Sequence, residues 1–221
     1  VDYFVAISKT VADRIAKYYR RDSEIIYPPV PVHGIPLGLR SDGYYLLVSR
    51  LMAYKRVDLA VEAFNSLGLS LKIIGSGPEF KTLRKMSRPN IEFLGSVNDS
   101  TLRECYSNCR ALVFPGFEDF GIVMVEAQAY GKPVVAYASG GASEIVMDNR
   151  TGVLFHDQTP AHLADAIKRL DCLDLSPEEI RTNALRFDES VFQSAVKALV
   201  GRKSREHGFS RQLSDFSLGP G

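Results

Sequence analysis

The chain has 221 residues, enough for one α/β domain with flanking pieces, and 45% of them are hydrophobic, so a core is available. Its 27 basic and 26 acidic side chains leave a net charge of +1, which gives no basis for electrostatic capture of nucleic acid. The three cysteines, Cys105, Cys109 and Cys172, are odd in number and irregular in spacing, which excludes a disulfide framework and fits buried or half-buried free thiols in a reducing, cytoplasmic compartment.

The chain opens on Val1, and Val-Asp-Tyr-Phe-Val-Ala-Ile-Ser reads like the interior of a protein, so a longer parent is expected. No signal-peptide pattern opens it, and no apolar run approaches the about 18–20 residues that span a bilayer. Residues 1–30 read as strand, helix (11–19, capped by Ser8 or Thr10), strand, then Pro28-Pro29. Residues 31–43 hold two more prolines and three glycines, so 1–43 is expected to be a crossover segment and linker packing on the domain. From residue 44 short apolar runs alternate with amphipathic stretches. Strands are expected at 44–49, 71–74, 91–94, 111–114 and 134–137, with helices at 57–67, 79–86, 100–107 and 122–130. Asn98 or Asp99 would cap the third of these helices, and Gly131 with Pro133 would stop the fourth. Residues 152–155 precede three more helices near 160–170, 177–187 and 189–199, closing a Rossmann-like domain at about residue 200. The polar stretch 201–221 is expected to be a disordered tail.

Continuous apolar strands joined by helices indicate an α/β fold with a doubly wound parallel sheet, covered on both faces. Ligands bind such sheets beyond the carboxyl ends of the strands. The segment 117–132, FEDFGIVMVEAQAYGK, holds the most chemistry there. Phe120, Gly121 and Ile122 start a helix whose free amides and positive end suit a phosphate, and Gly121 lets an anion approach closely. Glu118 lies in the loop before that helix and Glu126 one turn inside it, where each could accept hydroxyl hydrogens from a sugar. Equally, Glu118 and Asp119 could complement the helix dipole, with Glu126 a solvated helix residue. Arg50 and Lys55 follow the first strand of the domain and could neutralise a diphosphate, or form an ordinary basic loop. Gly75-Ser76-Gly77 allows close backbone approach after the next strand. It lacks the full G-x-G-x-x-G spacing, which argues against a nicotinamide dinucleotide. Ser139-Gly140-Gly141-Ala142-Ser143-Glu144 either lines the pocket or is a tight turn capped by Ser143. His33, His156, His162 and His207 are scattered and read as surface residues. No metal-ligand cluster, nucleophile elbow or Walker loop is present in the sequence.

The E-x7-E spacing of Glu118 and Glu126 within FGIVMVEAQAYGKPVVA resembles the retaining GT-B glycosyltransferases of the large group that includes bacterial mannosyl- and glucosyltransferases. SRLMAYKRVDLAVEAF, LKIIGSGPE, IEFLGSV and ASGGASEIV resemble that group's other landmarks in the same order, over about residues 44–155. VDYFVAISKTVADRI and IIYPPVPV resemble the crossover into its C-terminal domain.

The resemblance implies the donor-binding half of a hexosyltransferase, with Arg50 and Lys55 on the diphosphate. The backbone of Phe120, Gly121 and Ile122 would meet phosphate or sugar, Glu118 the transferred sugar, Glu126 the ribose and Val97 the base. Gly75 and Gly77 join the donor-contacting set. The substrate implied is a GDP- or UDP-linked sugar, with no cofactor and no metal. The leaving phosphate serves as base, so no protein nucleophile is required. The acceptor, a glycan or lipid-linked sugar, would be held by an N-terminal domain that this chain lacks. That leaves room for membrane association of the whole enzyme at the inner face of the membrane, and implies poor turnover by this half alone. Two departures stand out: Ser49 where glycine is commoner, and Arg56 where a glycine often follows the lysine. Competing readings on the same architecture are a nucleotide-sugar epimerase or hydrolase, which needs an added acid or base, and a non-catalytic nucleotide-sugar-binding module.

Overall fold

The computed structural model describes residues 2–206. The apolar runs form a six-stranded, all-parallel sheet of β3 (Tyr45–Val48), β4 (Leu71–Ile74), β5 (Ile91–Gly95), β6 (Leu112–Phe114), β7 (Val134–Tyr137) and β8 (Gly152–Phe155), in the order β5-β4-β3-β6-β7-β8. The side chains of each strand alternate between two cores. Tyr45, Leu47, Ile73, Val113 and Val135 face α2 (Val57–Leu67), α3 (Phe80–Met86) and α7 (Pro160–Asp171). Leu46, Leu112, Val134 and Ala136 face α4 (Asp99–Asn108), α5 (Ile122–Ala129) and α6 (Ala142–Ile145), with α8 (Pro177–Ala184) packed outside α5. This is the doubly wound sheet expected from the sequence, with residues 152–155 supplying a further strand at one edge.

The expected caps are largely in place. Asn98 accepts the Thr101 amide at 2.9 Å to open α4, and Gly131 ends α5; Gly68, which the sequence reading did not single out, ends α2. Residues 2–30 fold as their own β–α–β unit: β1 (Phe4–Ala6) and β2 (Ser23–Ile25) pair in parallel, joined by α1 (Lys9–Tyr19). Ser8, rather than Thr10, caps α1 by accepting the Val11 amide at 3.2 Å.

The linker 31–43 runs over the α4–α5 face. It is pinned there by the Gly38 amide donating to the Tyr130 carbonyl at 2.9 Å and by Lys132 Nζ donating to the Arg40 carbonyl at 2.7 Å. The last helix, α9 (Glu189–Glu206), corrects an expectation, since it continues past Gly201, where disorder was anticipated. Arg202 reaches Glu24 of β2 at 2.5 and 2.7 Å, and the Lys203 ammonium lies 4.2 Å from the Tyr3 ring centroid. These long-range contacts hold the final turns in place. The remainder of the anticipated tail, with His207, lies outside the described residues. Cys105 and Cys109 are buried, whereas Cys172 is exposed rather than sheltered. Among the described residues no helix is long and apolar enough to cross a membrane.

Candidate functional site

β3 and β6 are neighbours at the centre of the sheet, and the chain leaves them toward opposite edges. The loops after Val48 and Phe114 therefore part and leave a crevice, the ligand position of an open α/β sheet. Arg50 and Lys55 come from the first loop, Glu118, Phe120 and Gly121 from the second, and together with Ile122 and Val123 they line one cavity of about 450 Å³. The sequence-read site residues of the two loops thus do converge.

Lys55 ends a short 3₁₀ turn, Ala53–Lys55, and its ammonium pairs with the Glu118 carboxylate across the crevice. Burial lowers the Lys55 pKa, and the neighbouring Arg50 cation lowers it further. Arg56 holds the left-handed conformation (φ 54°, ψ 36°) that glycine adopts without strain, and its guanidinium is braced on Asp58 at 3.1 Å. The change from glycine therefore leaves the turn in its glycine-like form.

Phe120 is an anchor. It is 3% exposed, stacks on Tyr27 at 5.7 Å and meets Phe187 edge-on at 5.4 Å, which fixes the backbone where α5 begins. Gly121 takes φ 94°, and a Cβ there would lie 2.4 Å from the Met124 methyl. No side chain caps the start of α5, and its first turn has no acidic residue. The helix thus presents its positive end to the cavity uncompensated from within.

The segment 139–144 proves to be a shelf under this loop. The Gly141 amide donates to the Glu118 carbonyl at 2.9 Å, and Cβ atoms at 140 and 141 would fall 2.2 and 2.0 Å from the Glu118 and Phe120 carbonyl oxygens. Helix α6 starts at Gly141 with no side-chain cap, so Ser143 does not play the capping part expected of it. Glu144 turns instead to the β–α–β unit. Its carboxylate accepts the Lys9 amide at 3.0 and 2.9 Å and the Tyr27 hydroxyl at 3.0 Å. Asp119 is likewise engaged, by Arg14 of α1 at 2.7 and 3.1 Å. Sequence reasoning missed both ties. They are long-range pairs, and the one local sign was a glutamate placed just after two glycines.

Glu126 opens onto a second cavity of about 490 Å³, walled by α4, α5 and the linker, with Asp99, Arg103, Tyr106, Tyr130 and Ile35 in its lining. Val123 lines the first cavity and Glu126, three residues on along the same helix, lines the second. Glu126 is half-buried, and its Oε2 accepts the Tyr106 hydroxyl at 2.7 Å. Val97 is packed, half-buried, on the apolar core beneath the loop after β5. Gly75 and Gly77 line neither cavity. Cβ atoms there would strike the Ser49 and Leu51 carbonyls at 1.9 and 2.3 Å, so these glycines let two loops approach each other and thereby set the position of Arg50. His33, His156 and His162 are exposed, as read from the sequence, with His33 in the wall of the second cavity.

A family model for glycosyl transferases group 1 matches residues 38–186, more than half of the chain. An uncharacterized glycosyltransferase of Methanocaldococcus jannaschii is 29% identical over 188 residues, covering 81% of this chain and 51% of its own. A GDP-mannose-dependent alpha-(1-6)-phosphatidylinositol monomannoside mannosyltransferase of Mycobacterium tuberculosis is 33% identical over 141 residues, covering 56% of this chain and 37% of its own. Anabaena HepE, solved in complex with UDP and glucose, superposes with a TM-score of 0.77 over 91% of this chain and 63% of its own; at 20% identity this is a likeness of fold. The chain spans about half the length, or less, of the curated relatives it matches. A parallel sheet of this topology and the matched stretch, which holds Arg50, Lys55, Glu118, Gly121 and Glu126, lead to one assignment: the chain belongs to the glycosyl transferases group 1 family.

Proposed function

We propose that this chain is the donor-binding domain of a retaining glycosyltransferase that moves a hexose from a nucleoside diphosphate sugar to a glycan or lipid-linked acceptor. One observation carries the reading: Arg50, Lys55 and the two carboxylates Glu118 and Asp119 line, with the uncapped start of α5, a single cavity at the point where the sheet reverses. The pyrophosphate sits on the amides at Gly121 and Ile122, with Arg50 and Lys55 neutralising it. As the glycosidic bond breaks, negative charge grows on the departing phosphate, and the same groups stabilise it more than they stabilise the intact donor. Lys55, already paired with Glu118, bridges phosphate and sugar, and Glu118 accepts hydroxyl hydrogens of the transferred hexose. Glu126 holds the ribose, and the base lies toward Val97. Gly75 and Gly77 serve the donor by holding the Arg50 loop against the sheet. The departing phosphate takes the acceptor's proton, so the hexose leaves and is attacked on one face and its configuration is retained.

A hydrolase would need a second carboxylate to activate water. The remaining one in this cavity, Asp119, is held in a fork by Arg14, which favours transfer. The mycobacterial relative makes GDP-mannose the first donor to try. The acceptor is held by parts of the parent protein outside this chain.

Calorimetric titration with GDP, UDP and ADP tests the reading. Binding of about 4–6 kcal/mol, in the millimolar to high-micromolar range, is expected for one of them. Glu126→Ala should weaken it more than Glu118→Ala, because only Glu126 meets the nucleotide itself. Absence of heat with all three from folded protein, or the reverse order of the two variants, contradicts the assignment.

A further inference from the structure

We propose that Tyr106 is a positioning residue for donor recognition: its hydroxyl fixes the Glu126 carboxylate so that the carboxylate accepts both hydroxyls of the nucleotide's ribose at once. This rests on the ribose role of Glu126 given above.

Glu126 makes no ion pair among the described residues, so no cation sets its rotamer. What it has is one short bond, from the Tyr106 hydroxyl to Oε2 at 2.7 Å. Tyr106 can act as a fixed post. It is 2% exposed and contributed by α4, and its ring stacks on Tyr130 at 5.8 Å and 16°. Burial, and then the Glu126 carboxylate itself, push the phenol's pKa well up, so the hydroxyl stays a donor throughout the working range.

A carboxylate offers four lone-pair directions. Tyr106 takes one on Oε2, which stops the group from spinning about its last bond and leaves both lone pairs of Oε1 and one of Oε2 for a ligand. Two vicinal hydroxyls present two hydrogens side by side, which is what the remaining lone pairs of such a carboxylate accept. An ordered carboxylate loses less rotational freedom on binding than a free one, so the gain is one of preorganisation. A 2′-deoxyribose offers a single hydroxyl and draws little benefit.

The test is Tyr106→Phe, which keeps the ring and its stack. Titrations use the chain with ribonucleoside diphosphates (GDP and UDP) and their 2′-deoxy counterparts. The wild type should prefer the ribonucleotide. The variant should bind it about fivefold more weakly, the loss of one ordinary hydrogen bond, and bind the deoxynucleotide within about twofold of wild type, so that the preference collapses. In a Glu126→Ala background, where the hydroxyl has no side-chain acceptor at 126, the added Tyr106→Phe should change nothing further. Equal weakening of both nucleotides, or an unchanged preference in Tyr106→Phe, overturns the proposal while leaving the donor site intact. A wild type that binds the nucleotides without preferring ribose overturns the role of Glu126 itself, and this proposal with it.

Discussion

The six-stranded sheet and the β1–α1–β2 unit are both parallel α/β structures, yet they are held by different forces. In the sheet, Leu46, Leu71, Ile73, Leu112 and Val134 are fully buried, and helices cover both faces. The small unit has two strands and leaves Val5, Ile7 and Ile25 between 38% and 46% exposed. Besides the Tyr27 ring packed on Phe120 and Phe187, it is tied to the larger body by ions and dipoles: Glu144 on the start of α1, Arg14 on Asp119, Glu24 on Arg202. One region rests on the exclusion of water, while the other leans more heavily on particular polar groups that meet, so temperature, salt and acid should act on them unequally.

Three measurements sharpen that contrast. The largest effect belongs to the core. Phe64→Ala removes a fully buried ring that meets Tyr45 edge-on at 5.2 Å, and should cost about 3–5 kcal/mol in a denaturant titration of the whole domain. A loss below about 1 kcal/mol would mean that this face is not close-packed.

Next comes Asp188, the buried carboxylate between linker and α9. It accepts the Val32 and His33 amides at 3.2 and 3.1 Å and the Ser190 hydroxyl at 2.7 Å. Burial works to raise its pKa, but the bonds from Ser190, His33 and Val32 outweigh it and hold it at about 2, below its ordinary 3.8. A carboxylate depressed in this way stabilises the fold above its unfolded value, and the benefit fades as pH falls through the folded one. Asp188→Ala should therefore cost about 2–3 kcal/mol at neutral pH. The gap between the two melting curves should narrow from about pH 4 toward pH 2. A gap that stays constant across that range would show that the charge on Asp188 contributes nothing.

The smallest effect is local. Glu144→Gln should speed hydrogen exchange at the first amides of α1 several-fold and leave β3 and β4 unchanged. Equal acceleration in both regions would make the two parts one cooperative unit.

Much of this was legible in the sequence. Helix α2 and strands β4 and β7 have the bounds expected of them, because Gly68, Gly131 and Pro133 punctuate the chain where the apolar period changes. That Arg50, Lys55, Glu118 and Gly121 would share one edge of the sheet was legible because parallel strands send all their trailing loops to one side. What local pattern could not supply was partnership across the chain. Gly75 and Gly77 were visible as glycines, but which backbone they admit is set by Ser49 and Leu51 some 26 residues earlier. Glu144 looked like an ordinary helix residue until α1 was folded against it, and Tyr106 like one more core aromatic until α5 brought Glu126 beside it. The helical turns after Gly201 were missed for the same reason, since they depend on Glu24 and Tyr3 at the far end of the sequence.

The shelf of Gly140 and Gly141 has a consequence for which substitutions the chain can accept over generations. Both positions are already filled, on the side where a β-carbon would go, by the main chain that carries Glu118 and Phe120. A side chain at either position would displace that main chain, and Glu118 and Phe120 with it, so the loop before α5 keeps its place only while both positions lack a side chain. Variation within the crevice is left to the side chains that line it, among them Ile7, Pro28, Ile122 and Val123.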